Sequence, residues 1–200
     1  MPIATPFRPA LVLALSALFF TGTSLAQEYV APTLPAQKGR SPGVKVKLIG
    51  QSGSVKTYAL IFSPGDEILS GLAEFAINYG VKAAHFTGIG DARTSKFGWY
   101  DKTKKLFLVN RLDTFAEITS LVGDIALIGN NPAVHAHINL ATQDGIVHGG
   151  HLLEAFVEPT LEVIVTVEPL ELDKRLDPEY GINIIDPSLK GKIEKTPSSK

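Results

Sequence analysis

Four of the five histidines lie close together, in the segments His135-Ala136-His137 and His148-Gly149-Gly150-His151. In an extended strand, residues two apart point to the same face and lie roughly 6.5–7 Å apart along the backbone. His135 and His137 can therefore direct two imidazoles at one metal ion, with a third histidine arriving from a neighbouring segment. The spacing alone leaves either His148 or His151 as that third ligand. The alternative is a polar sheet face whose histidines meet only water.

The donor set limits the metal but does not name it. Three neutral imidazoles and a water molecule form the open type of zinc site found in enzymes. Iron, nickel and copper accept the same donors, so the pattern predicts a divalent transition metal, with zinc as the first candidate. Glu117 alternates with apolar neighbours and is the candidate general acid or base, although a solvated strand face is the commoner role for such a residue. His85 lies on a separate predicted strand, where we expect a core histidine.

A predicted strand, Ala133–Leu140, positions the His135/His137 pair. The pair shares one face with Asn139, and the alternating apolar residues of the strand take the other. The turn-forming segment Thr142–Gly145 is expected to reverse the chain, so that His148 or His151 returns beside the pair. Because His148 and His151 are three residues apart, an extended strand would put them on opposite faces, and only one could join the site.

The remaining elements predict one α+β domain with a mostly antiparallel mixed sheet and one main amphipathic helix. Helical spacing of apolar residues begins at Ile68, with Asp66 as the expected N-cap and Gly80 as a left-handed C-terminal residue. Gly71 within that helix predicts a close packing contact. The expected strands, rich in β-branched and aromatic residues, are Val44–Ile49, Val55–Phe62, Val81–Phe86, Thr94–Tyr100, Lys105–Val109, Ala116–Leu121, Asp124–Gly129, Ala133–Leu140 and Leu161–Val167. Gly88-Ile89-Gly90-Asp91 lacks the third glycine of a nucleotide-binding loop and predicts a tight turn or a close backbone approach.

Residues 1–26 have the pattern of a secretory signal peptide. Arg8 precedes the apolar run Ala10–Phe20, and Ser24-Leu25-Ala26 forms a small-x-small cleavage site. This run of eleven residues is shorter than the roughly 20 that a membrane span requires. We therefore expect a periplasmic or secreted protein with no stable membrane span after cleavage, the alternative being a retained N-terminal anchor.

Composition excludes several kinds of chemistry. The chain has no cysteine, so disulfides, thiolate catalysis and cysteine-bound zinc are excluded. Without Arg8, 18 basic side chains face 20 acidic ones, which provides no electrostatic basis for binding a phosphate backbone. Residues 27–43, with three prolines, are predicted to be a linker, residues 44–185 the domain, and residues 186–200 a disordered tail.

Several motifs together resemble the plants-and-prokaryotes conserved (PPC) domain. They are TYALIFSPGDEILSGLAEFAINYGVKAAHFTGIGDA, AEITSLVGDIAL, PAVHAHINL, GIVHGGHLLEAFVEPTLEVIV and RLDPEYGINII, which together span about Lys56 to Ile185. The resemblance implies an α+β domain that assembles as a homotrimer. The PPC fold is also similar to that of acetolactate decarboxylase and a zinc-dependent ester hydrolase, which hold zinc with a His-x-His pair and a further histidine. By motif position the implied ligands are His135, His137 and His151, while the ligand spacing of the decarboxylase favours His148 instead.

Besides a purely structural assembly module with inert histidines, three functions that involve a ligand or partner remain open. The first is an exported trimeric PPC-domain protein with a three-histidine metal site. The second is a metal-dependent lyase or hydrolase acting on a small carbonyl or ester substrate, with Glu117 or the spare histidine moving protons. The third is DNA binding, the label that prokaryotic members inherit from plant relatives with AT-hook motifs. The export signal, the slight acidity and the absence of an Arg-Gly-Arg-Pro hook make nucleic acid an improbable partner.

Overall fold

The computed structural model describes Met1, residues 27–32 and residues 36–189 of the chain. It contains ten strands and one helix in these residues, which confirms the predicted α+β class with one main helix. In chain order the elements are β1 (Tyr29–Val30), β2 (Lys45–Ser52), β3 (Val55–Phe62), α1 (Ile68–Asn78), β4 (Ala84–Asp101), β5 (Leu106–Leu112), β6 (Ala116–Ile128), β7 (Asn131–Ala141), β8 (Val147–Val167), β9 (Asp173–Asp177) and β10 (Ile182–Ile185).

Four long strands form a closed hydrogen-bonded circuit that encloses the core. β4 pairs with β6, β6 with β7, β7 with β8, and β8 again with β4, in every case antiparallel. β3 and β2 extend the sheet beyond β8, and β5 and β1 extend it beyond β4. The one parallel pairing joins β9 to the end of β6. The inward residues of these strands alternate with outward ones and pack with α1 into one apolar core.

Helix α1 begins at a different residue from the one predicted. Glu67, and not Asp66, is the N-cap, and its carboxylate accepts hydrogen bonds from the backbone N–H groups of Leu69 and Ser70. Asp66 is engaged elsewhere, because its carboxylate accepts the N–H groups of Gly43 and Ser63 at 2.9 and 2.8 Å. The prediction of Asp66 was wrong because both carboxylates precede the helix and only tertiary contacts decide between them.

Two glycines behave as the sequence indicated. Gly80 follows the helix with a φ of +64°, the left-handed conformation expected at a helix C-terminus. Gly71 lies where an added Cβ would be 2.4 Å from Cε1 of Phe62, which confirms the predicted close contact between α1 and β3.

Three strands are longer than predicted. The segment Gly88–Asp91 forms no turn and continues β4, so two predicted strands are one. It is instead a close backbone approach, since a Cβ on Gly90 would lie 2.3 Å from the backbone oxygen of Thr160 in β8. In the same way, β6 joins two predicted strands, and β8 begins at Val147, well before the predicted start at Leu161.

The ends of the chain are described only in part. Residues 2–26, which hold the predicted signal peptide, and residues 190–200 of the predicted tail lie outside the described residues. The described parts of the predicted linker, residues 27–43, contact the domain. Tyr29 and Val30 pair with β5, and the side chain of Ser41 donates a hydrogen bond to the backbone oxygen of Glu67. Within the described residues, no helix combines the length and the apolarity that a membrane crossing requires.

Candidate metal centre

Strand β7 presents His135 and His137 on its outward face, as predicted. The residues between and after them, Ala136 and Ile138, are buried in the core. This alternation follows from the period of two in a strand, because the apolar residues must face inward. The pair therefore sits on the outer surface of the closed circuit.

A tight turn brings the third histidine to the pair. The backbone N–H of Gly145 donates to the oxygen of Thr142 at 2.8 Å, and the N–H of Thr142 donates to the oxygen of Ile146 at 3.0 Å. The returning strand β8 then pairs with β7 in a register that places His151 directly opposite His137. Directly opposed residues of antiparallel strands share a face, so His151 joins the other two.

The three imidazoles converge closely enough for one ion. One ring nitrogen from each of His135, His137 and His151 lies within 4.8 Å of the others. The ring centroids are 5.2 Å apart for His135 and His137, 5.1 Å for His135 and His151, and 5.6 Å for His137 and His151. Ligand nitrogens of tetrahedral zinc are roughly 3.3 Å apart, given bonds of about 2.05 Å. Small side-chain rotations would close the difference, so the three histidines could hold a metal ion.

An aromatic ring covers one side of His151. Phe107 of β5 stacks on the imidazole with ring centroids 4.3 Å apart and an interplanar angle of 7°. Gly98 of β4 pairs with His151, and a Cβ at Gly98 would lie 2.9 Å from Cβ of Phe107. The missing side chain at Gly98 therefore allows Phe107 to reach across β4 and hold the orientation of His151.

The site favours neutral imidazoles. Burial, followed by the charges of His135, His137 and Lys174, lowers the pKa of His151 to about 3. Burial and the neighbouring His135 also lower the pKa of His137. Neutral imidazole is the form that coordinates a metal, so these shifts reduce the proton competition that metal binding must overcome near neutral pH.

The other predicted residues lie apart from this cluster. His148 pairs with Leu140, whose side chain is buried, so His148 lies on the opposite face from His137 and His151. The structure therefore brings His151, and not His148, to the His135/His137 pair. His85 is not a core histidine, because its side chain is 64% exposed and its Nδ1 lies 3.4 Å from a carboxylate oxygen of Glu168.

The structure does not bring Glu117 to the histidines. It pairs with Ala141 of β7, four residues beyond His137 and so roughly 13 Å away along the strand. Its nearest ladder partner in β4 is Asp91, and burial together with the charge of Glu117 raises the pKa of Asp91. A catalytic role for Glu117 stays a prediction that its position does not support.

Three functional candidates were missed by sequence reasoning. Phe107 stacks on His151, Asp124 lies against His135 with its Oδ2 3.4 Å from Nδ1, and Lys174 contacts Asp124. Asp124 carries a recognisable signal, since it is the one charged residue in the otherwise apolar run Leu121–Ile128. Phe107 and Lys174 carry none, because their relation to the histidines arises only from strand pairing.

The lowered pKa of His151 predicts acid sensitivity of the metal-free protein. The pKa of this imidazole is about 3 in the folded chain, whereas an unfolded histidine has a pKa of about 6.5. Between these values the unfolded state alone binds a proton at this position. The free energy of unfolding therefore includes the full contribution above about pH 6.5 and loses it progressively as the pH falls toward 3. Urea unfolding in excess chelator, over the range of about pH 4 to 7.5, measures the slope.

Two phenylalanine substitutions separate this effect from general acid denaturation. His151→Phe preserves an aromatic ring against Phe107 and removes the titrating group, so its free energy of unfolding should fall less steeply with decreasing pH than that of the wild type. His148→Phe is the matched control and should retain the wild-type slope. Equal slopes for all three proteins would contradict the prediction.

The comparisons with known proteins agree with the fold. A family model of the Plants and Prokaryotes Conserved (PCC) domain matches residues 49–169. A PPC protein from Pyrococcus horikoshii is 29% identical, with a TM-score of 0.62 over 71% of this chain and 94% of that one. A metal-containing protein from Archaeoglobus fulgidus is also 29% identical, with a TM-score of 0.61 over 71% and 96% of the two chains.

Two further relatives carry other descriptions. A protein from Ralstonia eutropha, described provisionally as DNA-binding, is 32% identical, with a TM-score of 0.61 over 64% of this chain and 90% of that one. The bifunctional protein GlmU of a Synechococcus strain is 26% identical over 149 residues, which are 74% of this chain, and the match spans only 23% of that protein's length. The family model covers more than half of the sequence. The chain therefore belongs to the plants and prokaryotes conserved domain family.

Proposed function

We propose that this protein is an exported PPC-domain protein that binds one divalent transition metal ion, zinc most readily, through His135, His137 and His151. The observation that carries the proposal is the convergence of three imidazole nitrogens, within 4.8 Å, from two adjacent strands. The description of the Archaeoglobus fulgidus relative as a metal-containing protein supports it. Export rests on the sequence pattern of residues 1–26.

The chemistry of the donors favours zinc without requiring it. Imidazole nitrogen suits zinc, copper, iron and nickel, and the chain offers no cysteine thiolate to favour a softer metal. When bound, an ion with three protein ligands keeps an open position that a water molecule or a small ligand can occupy. His135, His137 and His151 would hold the ion on the outer surface of the β7–β8 hairpin.

Metal analysis tests this proposal directly. Protein recovered from the secreted or periplasmic fraction, produced without a polyhistidine tag, should contain about one zinc ion per chain and begin at Gln27 after signal removal. The double variant His135→Ala/His137→Ala should lose the metal, because a single remaining imidazole cannot hold it. Elemental analysis of the dialysed proteins measures the stoichiometry.

His148→Ala is the matched control, since His148 lies in the same hairpin on the opposite face. This variant should retain the full metal content. A wild-type protein without metal, or a double variant with undiminished metal, would refute the three-histidine site. If the His148→Ala variant lost the metal, His148 and not His151 would be identified as the third ligand.

A metal-dependent lyase or hydrolase is a second candidate, favoured by a pocket beside the histidines. The pocket has a volume of about 520 Å³, within the usual range for small-molecule sites. It is lined by Gly98, Trp99, Tyr100, Asp101, Lys102, Thr103, Phe107, His137, Gly150 and His151. Aromatic walls next to two metal ligands suit a small carbonyl or ester substrate with an apolar group. In such a site a bound ion would polarise the carbonyl or activate a water molecule.

Chelation tests the enzymatic candidate. Turnover of a panel of small esters and 2-hydroxy or 2-oxo acids should disappear in excess chelator and return on addition of zinc. The His135→Ala/His137→Ala variant should be inactive, whereas His148→Ala should turn over substrate at the wild-type rate. Equal turnover with and without chelator would eliminate metal-dependent catalysis.

We further propose that the chain assembles as a homotrimer through an apolar patch on the outer surface of β4, β6 and β8. Ile89, Val122 and Ile164 are exposed there and line a shallow depression of about 420 Å³. Exposed apolar groups in one contiguous patch favour association with another protein surface. A second copy is the partner that the family resemblance indicates.

Sedimentation equilibrium tests this assembly. The wild-type protein should have three times the mass of one chain, and Ile89→Glu/Ile164→Glu should sediment as a monomer, because burying two carboxylates in an apolar interface is unfavourable. Ile77→Glu, at a similarly exposed isoleucine on α1, is the control and should leave the trimer intact. A monomeric wild type would refute the trimer, and an unchanged double variant would refute this patch.

Nucleic acid is not part of the proposal. Two of the similar solved structures are described provisionally as DNA-binding proteins. Residues 27–200 of this chain nevertheless carry an excess of two acidic side chains, and they contain no Arg-Gly-Arg-Pro hook. Phosphate-backbone affinity depends on clustered basic side chains, so a small-molecule ligand at the metal site is the better supported partner.

A further inference from the structure

Lys174 is almost completely buried beside the metal centre. Its side chain is 4% exposed, a rare state for a lysine unless an opposite charge accompanies it. The partner is Asp124, whose Oδ1 lies 2.5 Å from the ammonium nitrogen of Lys174. The parallel pairing of β9 with the end of β6 brings the lysine there, opposite Ile128. Burying an ion pair costs free energy, because both charged groups lose their contacts with water. A functional role for this pair would account for that cost.

Asp124 connects this ion pair to the metal centre. It pairs with His135 across β6 and β7, and its second oxygen, Oδ2, lies 3.4 Å from Nδ1 of His135. The carboxylate of Asp124 thus has one oxygen facing the ammonium group of Lys174 and the other facing the imidazole of His135.

An ionised carboxylate at Nδ1 decides the tautomer of an imidazole. It accepts a proton held on Nδ1, which leaves the lone pair of Nε2 free to bind a metal. The ammonium group of Lys174 forms an ion pair with Oδ1 but no hydrogen bond to it, and Oδ2 is the oxygen nearer His135. His151 is held differently, by ring stacking on Phe107. The carboxylate is thus placed to orient His135.

We infer that Asp124 and Lys174 are positioning residues that hold the proton of His135 on Nδ1 and present its Nε2 to the metal. This inference extends the proposed metal site but concerns the metal-free protein as well, because the ion pair and the tautomer exist without metal. Asp124 acts through His135 and is not itself a ligand. Such carboxylate–histidine pairs commonly contribute 10- to 100-fold to metal affinity.

Nitrogen-15 NMR of the metal-free protein, at about pH 8 where imidazoles are neutral, reports the tautomer. In the wild type, His135 should carry its proton on Nδ1. Asp124→Asn removes the charge at nearly constant volume and should shift the population toward Nε2–H. Lys174→Met keeps the buried volume, releases Oδ1 and should shift the tautomer in the same direction. Asp113→Asn, at an exposed aspartate in the β5–β6 loop, is the control and should leave the tautomer unchanged.

Zinc affinity, measured by competition with a chromophoric chelator, completes the test. Asp124→Asn should weaken zinc binding about 10- to 100-fold while Asp113→Asn binds as the wild type does. An Nε2–H tautomer in the wild type would overturn the inference, as would a wild-type tautomer and affinity in Asp124→Asn. The wild-type tautomer needs no variant, so the inference stays falsifiable if a substitution prevents folding. A wild type with the Nδ1–H tautomer but no zinc affinity would refute the proposed metal site and leave the positioning role standing.

Discussion

The pairing of His137 with His151 across the β7–β8 hairpin is the contact on which the rest of the site depends. The same register that aligns these imidazoles also buries Ile138 and Leu140 in the core. A slip of one residue would turn the third histidine away and expose apolar side chains that each contribute about 1.5–3 kcal/mol when buried. The register that buries the apolar side chains is therefore the same one that aligns the histidines. The free energy of core burial thus stabilises the arrangement of the three imidazoles.

The three histidines also lie on strands and not on flexible loops. β8 carries His151 near one end and contributes buried valines and leucines to the core along the rest of its length. Gly123 of β6 lies where an added Cβ would be 2.2 Å from the backbone oxygen of His135, so the two strands approach unusually closely there. Ligands held by paired, close-packed strands have little freedom to move, and a rigid set of donors binds an ion at lower entropic cost.

The sequence predicted the features that depend on residues close together in the chain. The alternation around His135 and His137, the Thr142–Gly145 turn and the amphipathic helix were all readable because period and turn chemistry act over a few residues. The spacing did not decide between His148 and His151, since that choice depends on register. The family resemblance nominated His151, and the structure brings it to the pair.

What escaped prediction was set by contacts between distant parts of the chain. The close approach of β8 at Gly90 was one of the two expected roles of that segment, but the continuity of β4 through it was not expected. Glu67 replaces Asp66 as the helix cap because the aspartate already accepts hydrogen bonds from Gly43 and Ser63. Lys174 reaches Asp124 only through the parallel pairing of β9 with β6. The local sequence around Lys174 and around Asp124 does not indicate this ion pair, which is evident only from the pairing of the strands.

The short strand β1 places the beginning of the described N-terminal segment next to the metal centre. Val30 pairs with Phe107, the residue whose ring stacks on His151, and only two residues separate Tyr29 from Ala26. Any imidazole-rich extension fused directly before Gln27 would therefore begin close to the three histidines. Tethering raises the effective concentration of such imidazoles to the millimolar range. A polyhistidine tag placed directly before Gln27 would thus compete, as an intramolecular chelator, for any ion held by the three histidines.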